Sequence, residues 1–321
     1  MTTGRFTTGG GDTRVDGATW SQEVALAHHF YEWARDKKLV GTSPIPLRAS
    51  RDEPAEVTIM VPSRGGRERK PVPATYAHDG GQEKLDWMPA PMYRRWRDVG
   101  VRGYTTQGLP DPGFRGRWAA RNAAYTDLMV RTGLRITEQS SLTVSELPTG
   151  PGAGYRRFWL PEAVAKGGSA RWVYVPASVR RDLADYAEFD RAAVVQEAQA
   201  AGRYQMIRRP LVIEDPGRPL VARAVGGALR GRRLDVRGIK PSERYRLLVE
   251  GGGGLEPAMF WLGEDGMPLA VSTWKDLFTL ANARCQALGL AERSHAHALR
   301  HTFAVITLEQ LQRAISRLWL R

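Results

Sequence analysis

The stretch His297-Ala298-Leu299-Arg300-His301-Thr302-Phe303 follows a polar loop and opens an apolar run in which Ala304, Leu308, Leu311, Ile315 and Leu318 recur at helical spacing. This spacing predicts that the heptapeptide forms the first turn of a helix, with His297 and Arg300, three apart, on one face. A guanidinium forks onto two phosphate oxygens, and an imidazole donates to an oxygen or exchanges a proton with it, so the pair suits a phosphate. Two other readings stand beside this one. The residues are equally the kind of polar side chains that crowd any helix start, and His295, His297 and His301 can be read as a zinc set. The zinc reading lacks the Glu of a H-E-x-x-H site, and Arg300 would repel the cation.

Around this stretch, 321 residues allow one large domain or two modest ones, with ample length for a core. A hydrophobic content of 42% is that of a globular chain rather than a disordered one. No apolar run approaches a membrane span, and the opening MTTGRFTTGGG lacks the apolar centre of a secretory signal. Cys285 is the single cysteine, so no internal disulfide can form, and a cytoplasmic location is the expectation. The formal net charge of +13 favours a polyanionic partner, nucleic acid first. Of the 47 basic residues only seven are Lys, a bias that codon usage in a GC-rich genome would produce equally well.

The chain order predicts a disordered, Gly/Thr-rich lead-in over 1–18, then a helix from a Thr19 cap to about Lys38, stopped by Thr42 to Pro46. Residues 49–84 read as a basic linker, with a short strand at Val57–Val61 and the run Arg64–Lys70. From about Leu85 the texture turns globular, and 85–321 is taken as one domain. Helices are expected at Pro91–Val99, Arg117–Thr132 with Gly133 as its stop, and a short one ending near Leu142. Tyr155–Leu160 and Arg171–Val175 read as a hairpin whose turn holds Lys166-Gly167-Gly168. Further helices follow from caps at Ser178 (to Ala201) and Ser272 (to Leu288), and Met259–Leu262 reads as a strand. Residues 203–257 look less regular, with a flexible Gly251–Gly254, and Arg208–Arg246 carries 11 basic against four acidic residues.

Arg135 just past a glycine helix stop, Lys166 in a hairpin turn, and His297 with Arg300 on one helix face form a set. On these residues the chain resembles the tyrosine recombinases, the phage-integrase-type enzymes. Thr132-Gly-Leu-Arg-Ile-Thr-Glu138 is similar to the family's first arginine box and His297-Ala-Leu-Arg-His-Thr-Phe303 to its second, while Lys166 matches its hairpin lysine. The resemblance covers about residues 85–305, and 19–48 resembles a remnant of the family's helical core-binding domain. It implies an α+β, mainly helical fold with a small antiparallel sheet, and site-specific recombination or integration of double-stranded DNA.

In such a reaction a tyrosine attacks a phosphodiester, and charge grows on the nonbridging oxygens, where two bidentate arginines stabilise it. The resemblance assigns that role to Arg135 and Arg300. Lys166 would protonate the leaving 5′ oxygen, which Arg cannot do at any useful pH. His297 would help activate the nucleophile or steady the phosphate. No metal or other cofactor is called for, since the arginines supply the positive charge. Self-association on DNA is a further expectation of the resemblance. One departure is plain: the family's nucleophilic tyrosine follows the second box, whereas the last tyrosine here is Tyr245. The chain by itself is therefore expected to bind DNA without forming a covalent adduct, as a recombinase relative or as a non-cleaving DNA-binding protein.

Overall fold

The computed structural model describes residues 17–48, 72–74 and 86–319. The expected lead-in up to residue 16, the Val57–Val61 strand and the Arg64–Lys70 run lie outside the described residues. The chain divides into two compact units, Met1–Lys84 and Leu85–Arg321. In the first, α1 (Gly17–Asp36) begins two residues before the expected Thr19 cap, and β1 (Leu47–Arg48) pairs antiparallel with β2 (Val72–Pro73). Val24 and Ala34 are its buried apolar positions, while Leu26, Phe30 and Trp33 are exposed.

The second unit is α+β and mainly helical. Its helices are α2 (Ala90–Trp96), α3 (Ala119–Thr132), α4 (Ile136–Ser140), α5 (Ala177–Asp185), α6 (Ala192–Ala200), α7 (Pro241–Arg244), α8 (Val271–Ala287) and α9 (Ala296–Trp319). A π-helical turn, Tyr186–Arg191, joins α5 to α6, so the long helix expected over 178–201 is present with a bulge at its middle. Two expected caps are absent. α5 starts behind Pro176 and α8 behind Ala270, neither with a side-chain cap, and Ser178 and Ser272 sit inside the helices. No described helix is long and apolar enough to cross a membrane.

β3 (Tyr155–Leu160) and β4 (Arg171–Pro176) form the expected antiparallel hairpin, in register Leu160↔Arg171 and Trp159↔Trp172. Phe158, Leu160, Val173 and Val175 alternate into the core, as period-two patterning requires. The small sheet is not the only one. Residues 211–257 build a five-stranded sheet in the order β7 (Arg233–Asp235), β6 (Val221–Ala224), β5 (Leu211–Ile213), β8 (Leu247–Gly251), β9 (Gly254–Pro257). It is antiparallel except for the β5–β8 pair. The segment expected to be irregular is therefore ordered, and Gly251–Gly254 closes the β8–β9 hairpin. Gly254 takes φ +111°, a conformation open to glycine at little cost.

The helical core centres on aromatic rings. Tyr125 stacks on Trp274 with centroids 3.6 Å apart, and Trp261 meets both edge-on. Residues 258–262 pass through this core fully buried, and they form isolated bridges (Thr143↔Met259, Leu262↔Pro268) rather than the expected strand. Their unbroken apolarity marks burial on every side, which periodicity alone does not distinguish from a ladder. Several arginines are core fasteners. Arg244, wholly buried, donates to Glu146 at 2.6 and 2.9 Å and to the carbonyls of Ser141 and Ile239. Arg191 donates to Glu256 at 2.9 Å and to the Pro257 carbonyl at 2.6 Å. Together they tie the five-stranded sheet to the helical body, and removing either partner would strand a buried charge at a cost of about 3–5 kcal/mol.

Candidate functional site

α3 ends where Gly133 takes φ +63°, its amide closing the helix on the Met129 carbonyl. A Cβ there would lie 2.3 Å from the Phe303 ring of α9, so the position demands glycine both for its backbone and for the close approach of the second box. The glycine carbonyl is left free to accept Arg300 Nη1 at 2.6 Å. α9 is fixed at its start from two other directions. Leu299 and Ala298 are fully buried, and Thr302 Oγ1 accepts the Met88 amide at 2.9 Å.

Arg135 stands at the N-terminus of α4, and Glu138 one turn on is wholly buried. The Glu138 carboxylate accepts the Arg135 amide (3.0 Å), Arg135 Nη1 (3.1 Å), Arg171 Nη2 (2.6 Å) and the Lys166 amide (3.2 Å). One carboxylate thus gathers both ends of Arg135, the arginine at the start of β4, and the backbone of the hairpin turn. Burial would raise its pKa, but the hydrogen bonds and charges of Arg171 and Arg135 outweigh that and hold it at about 2. It is a permanent anion at neutral pH.

Two guanidiniums bind this carboxylate, and a third, Arg300, is held close by on the Gly133 carbonyl. The Arg300 pKa is lowered by burial first, then by repulsion from Arg135, with Arg171 adding to it and Glu138 opposing it. Arg135, Arg171 and Arg300 are thereby electrostatic neighbours with two positive charges uncompensated, and all three are partly solvent-exposed. Such a cluster stabilises an incoming anion through charge-assisted, forked hydrogen bonds. His297 lies exposed beside it. Desolvation, then the charges of His301, His295, Arg300 and Arg135, push its pKa below the usual histidine value, so the neutral imidazole dominates at pH 7.

The three histidines do not form a ligand set. His295 Nε2 meets Asp86 at 3.1 Å while its Nδ1 accepts the Ala298 amide at 3.3 Å, which occupies both nitrogens. His297 and His301 pack edge to face at 4.3 Å. Among the described residues no group of three or more His, Cys, Asp or Glu could hold a metal ion.

Lys166 opens a short 3₁₀ turn at the hairpin tip, followed by Gly167 and Gly168, both at φ +69°. Its side chain is exposed, and its ammonium has no ion-pair partner among the described residues. The turn is anchored by the Lys166 amide on Glu138 and by Ser169 Oγ on the Lys166 carbonyl at 3.1 Å. Of the residues singled out from the sequence, Arg135, His297 and Arg300 lie within electrostatic range of one another, and Lys166 joins them through its backbone amide on Glu138. Two members of the cluster were not singled out. Glu138 had a signal, an acidic residue three past a helix start, which is the capping-box spacing. Arg171 had none, because its role depends on strand pairing.

No protein-family model and no curated protein matches the sequence. Among solved structures, the XerH site-specific recombinase bound to its difH substrate in a pre-cleavage complex is 14% identical, over 73% of this chain and 47% of that chain, with a TM-score of 0.35. The XerH post-cleavage complex on a palindromic difH substrate is 13% identical over 71% of this chain and 43% of that chain, with a TM-score of 0.36. The aligned part spans less than half the length of either.

Proposed function

We propose that this chain binds double-stranded DNA and seats one backbone phosphate against Arg135, Arg171 and Arg300, the phosphate-holding part of a site-specific recombination chemistry whose attacking hydroxyl its described residues do not supply. The observation that carries this reading is the cluster of three partly exposed guanidiniums near one buried, permanently ionised Glu138. An arrangement with two unbalanced positive charges at the surface is built for an anion, and the +13 chain favours a polymeric one.

On this reading Arg135 and Arg300 fork onto the nonbridging oxygens and stabilise the charge that grows there. Glu138 holds the Arg135 and Arg171 planes in place and leaves their outer N–H groups for the phosphate. His297, largely neutral, accepts a proton from an attacking hydroxyl or donates to a phosphate oxygen. Lys166 on its glycine-flanked turn donates a proton to the departing oxygen. Tyr245 is not the attacking group. It donates its own hydroxyl to the Leu269 carbonyl at 3.2 Å, and burial raises its pKa. A second reading, DNA binding without strand cleavage, draws on that same observation. The sequence-level likeness to tyrosine recombinases supports the first.

The test is anisotropy titration of a labelled duplex over a range of salt concentrations. Affinity is expected to fall steeply with salt, by about 0.9 log unit per log unit for each phosphate neutralised. Arg300→Ala should weaken binding, and a flat salt dependence would refute the proposal.

A further inference from the structure

The β3–β4 hairpin shows solvent a face that the phosphate site does not use. On it stand Tyr155, Arg157 and Trp159 of β3 and Trp172 and Tyr174 of β4. The tryptophans are directly opposite in register, 39% and 46% exposed, and meet edge to face at 5.2 Å. Arg157 lies over the Trp172 ring at 4.4 Å, and Tyr155 and Tyr174 are more than half exposed. Scattered exposed aromatics need no explanation, but four on one two-stranded face form a contiguous patch, and such patches mark binding surfaces. One cross-strand aromatic pair would be enough to steady a hairpin.

We propose that this face is a stacking platform for unpaired nucleobases flanking the phosphate held by Arg135 and Arg300. The inference rests on the reading that the chain engages DNA. Continuity is the first argument: Trp159↔Trp172 is the strand pair next to Leu160↔Arg171, and Arg171 is already bound to Glu138 beside Arg135. Arg171 turns to the opposite face of the hairpin to meet Glu138, so the ladder begins one residue step along the strand, about 3.3 Å, and a DNA strand leaving the arginine cluster reaches it by passing over the hairpin edge. Charge is the second argument. Neither β3 nor β4 contains an Asp or Glu, Arg157 adds a cation above a ring, and the pair suits a polyanion whose bases offer π faces. A second copy of this chain packed here about a two-fold axis would bring like-charged arginines together. Paired bases already stack on one another, so the platform favours strands that are open.

The test compares the 321-residue chain on a labelled duplex and on the same duplex carrying a short central bubble. The chain is expected to prefer the bubble by about tenfold, the scale of one base–aromatic stack. Trp159→Ala with Trp172→Ala should erase that preference while leaving duplex affinity intact. The Trp159→Phe, Trp172→Phe pair should restore it, and Arg300→Ala should weaken both DNAs alike. A bubble preference that survives the alanine pair overturns the proposal. So does its absence in the parent chain, and if duplex binding still depends on Arg300, only the platform falls. Arg300-independent binding of both DNAs, or none, removes the proposed function and the platform with it. A dimer dissolved by the alanine pair with no change in DNA preference also overturns it and assigns the face to self-contact.

Discussion

Replacing Glu138 by Gln keeps the shape of the side chain and removes the charge that gathers Arg135, Arg171 and the Lys166 turn. The amide nitrogen would also point a donor at guanidinium and backbone donors. A carboxyl held at about 2, against an ordinary value of 4.5, contributes on the order of 3 kcal/mol at neutral pH. Because the folded-state pKa is depressed, that stability is present in full above about pH 4.5 and is lost as the pH falls toward about 2. Urea unfolding of the parent chain and of Glu138→Gln, followed by tryptophan fluorescence, reads the difference directly. At neutral pH the variant midpoint is expected to fall by roughly 1 M, given an m-value of a few kcal/mol per molar for a unit of this size. The gap should narrow steadily as the titration descends below about pH 4.5. Equal stabilities at neutral pH, or a gap that stays constant down to about pH 2.5, would refute the assignment of Glu138 as the ionised hub.

Three further outcomes are expected. Arg135→Ala and Arg300→Ala should each cost about 1.5–3 kcal/mol of duplex affinity, the range for a hydrogen bond to a charged group. Salt-dependent anisotropy should show a shallower slope for both. The His297 ring, followed by proton NMR, should titrate below the usual histidine value, because partial desolvation and its cationic neighbours disfavour imidazolium. Arg135→Ala should move that midpoint upward, and a midpoint at or above the usual value would count against the cluster. Gly133→Ala combines a positive φ with a Cβ 2.3 Å from the Phe303 ring. It should lower the stability by more than the roughly 1–2 kcal/mol of backbone strain alone, seen as a fall in the thermal midpoint. Phe303→Leu in the same chain should recover part of that loss, which a double-mutant cycle would measure.

What the sequence determined by itself was local. The position of α9 follows from apolar spacing after residue 296, and the shared face of His297 and Arg300 follows from their separation of three. Gly133 could be read as a helix stop, and the β3–β4 hairpin as alternation around a glycine turn, because capping and pleating act over a few residues. The tertiary structure decided what depends on chain segments far apart. Glu138 becomes an anion hub only when β4 delivers Arg171 from 33 residues away and the hairpin turn delivers the Lys166 amide from 28. The five-stranded sheet went unread because its strands run only three to five residues, interrupted by Arg and Gly. Its central pairing joins Leu211 to Leu247, and such long-range ladders leave little periodic trace. The count of basic residues over 208–246 likewise could not separate Arg244, buried on Glu146, from arginines open to solvent. A charge is legible in a sequence, but whether it faces a carboxylate or water is settled by packing, because burial without a partner costs too much to persist.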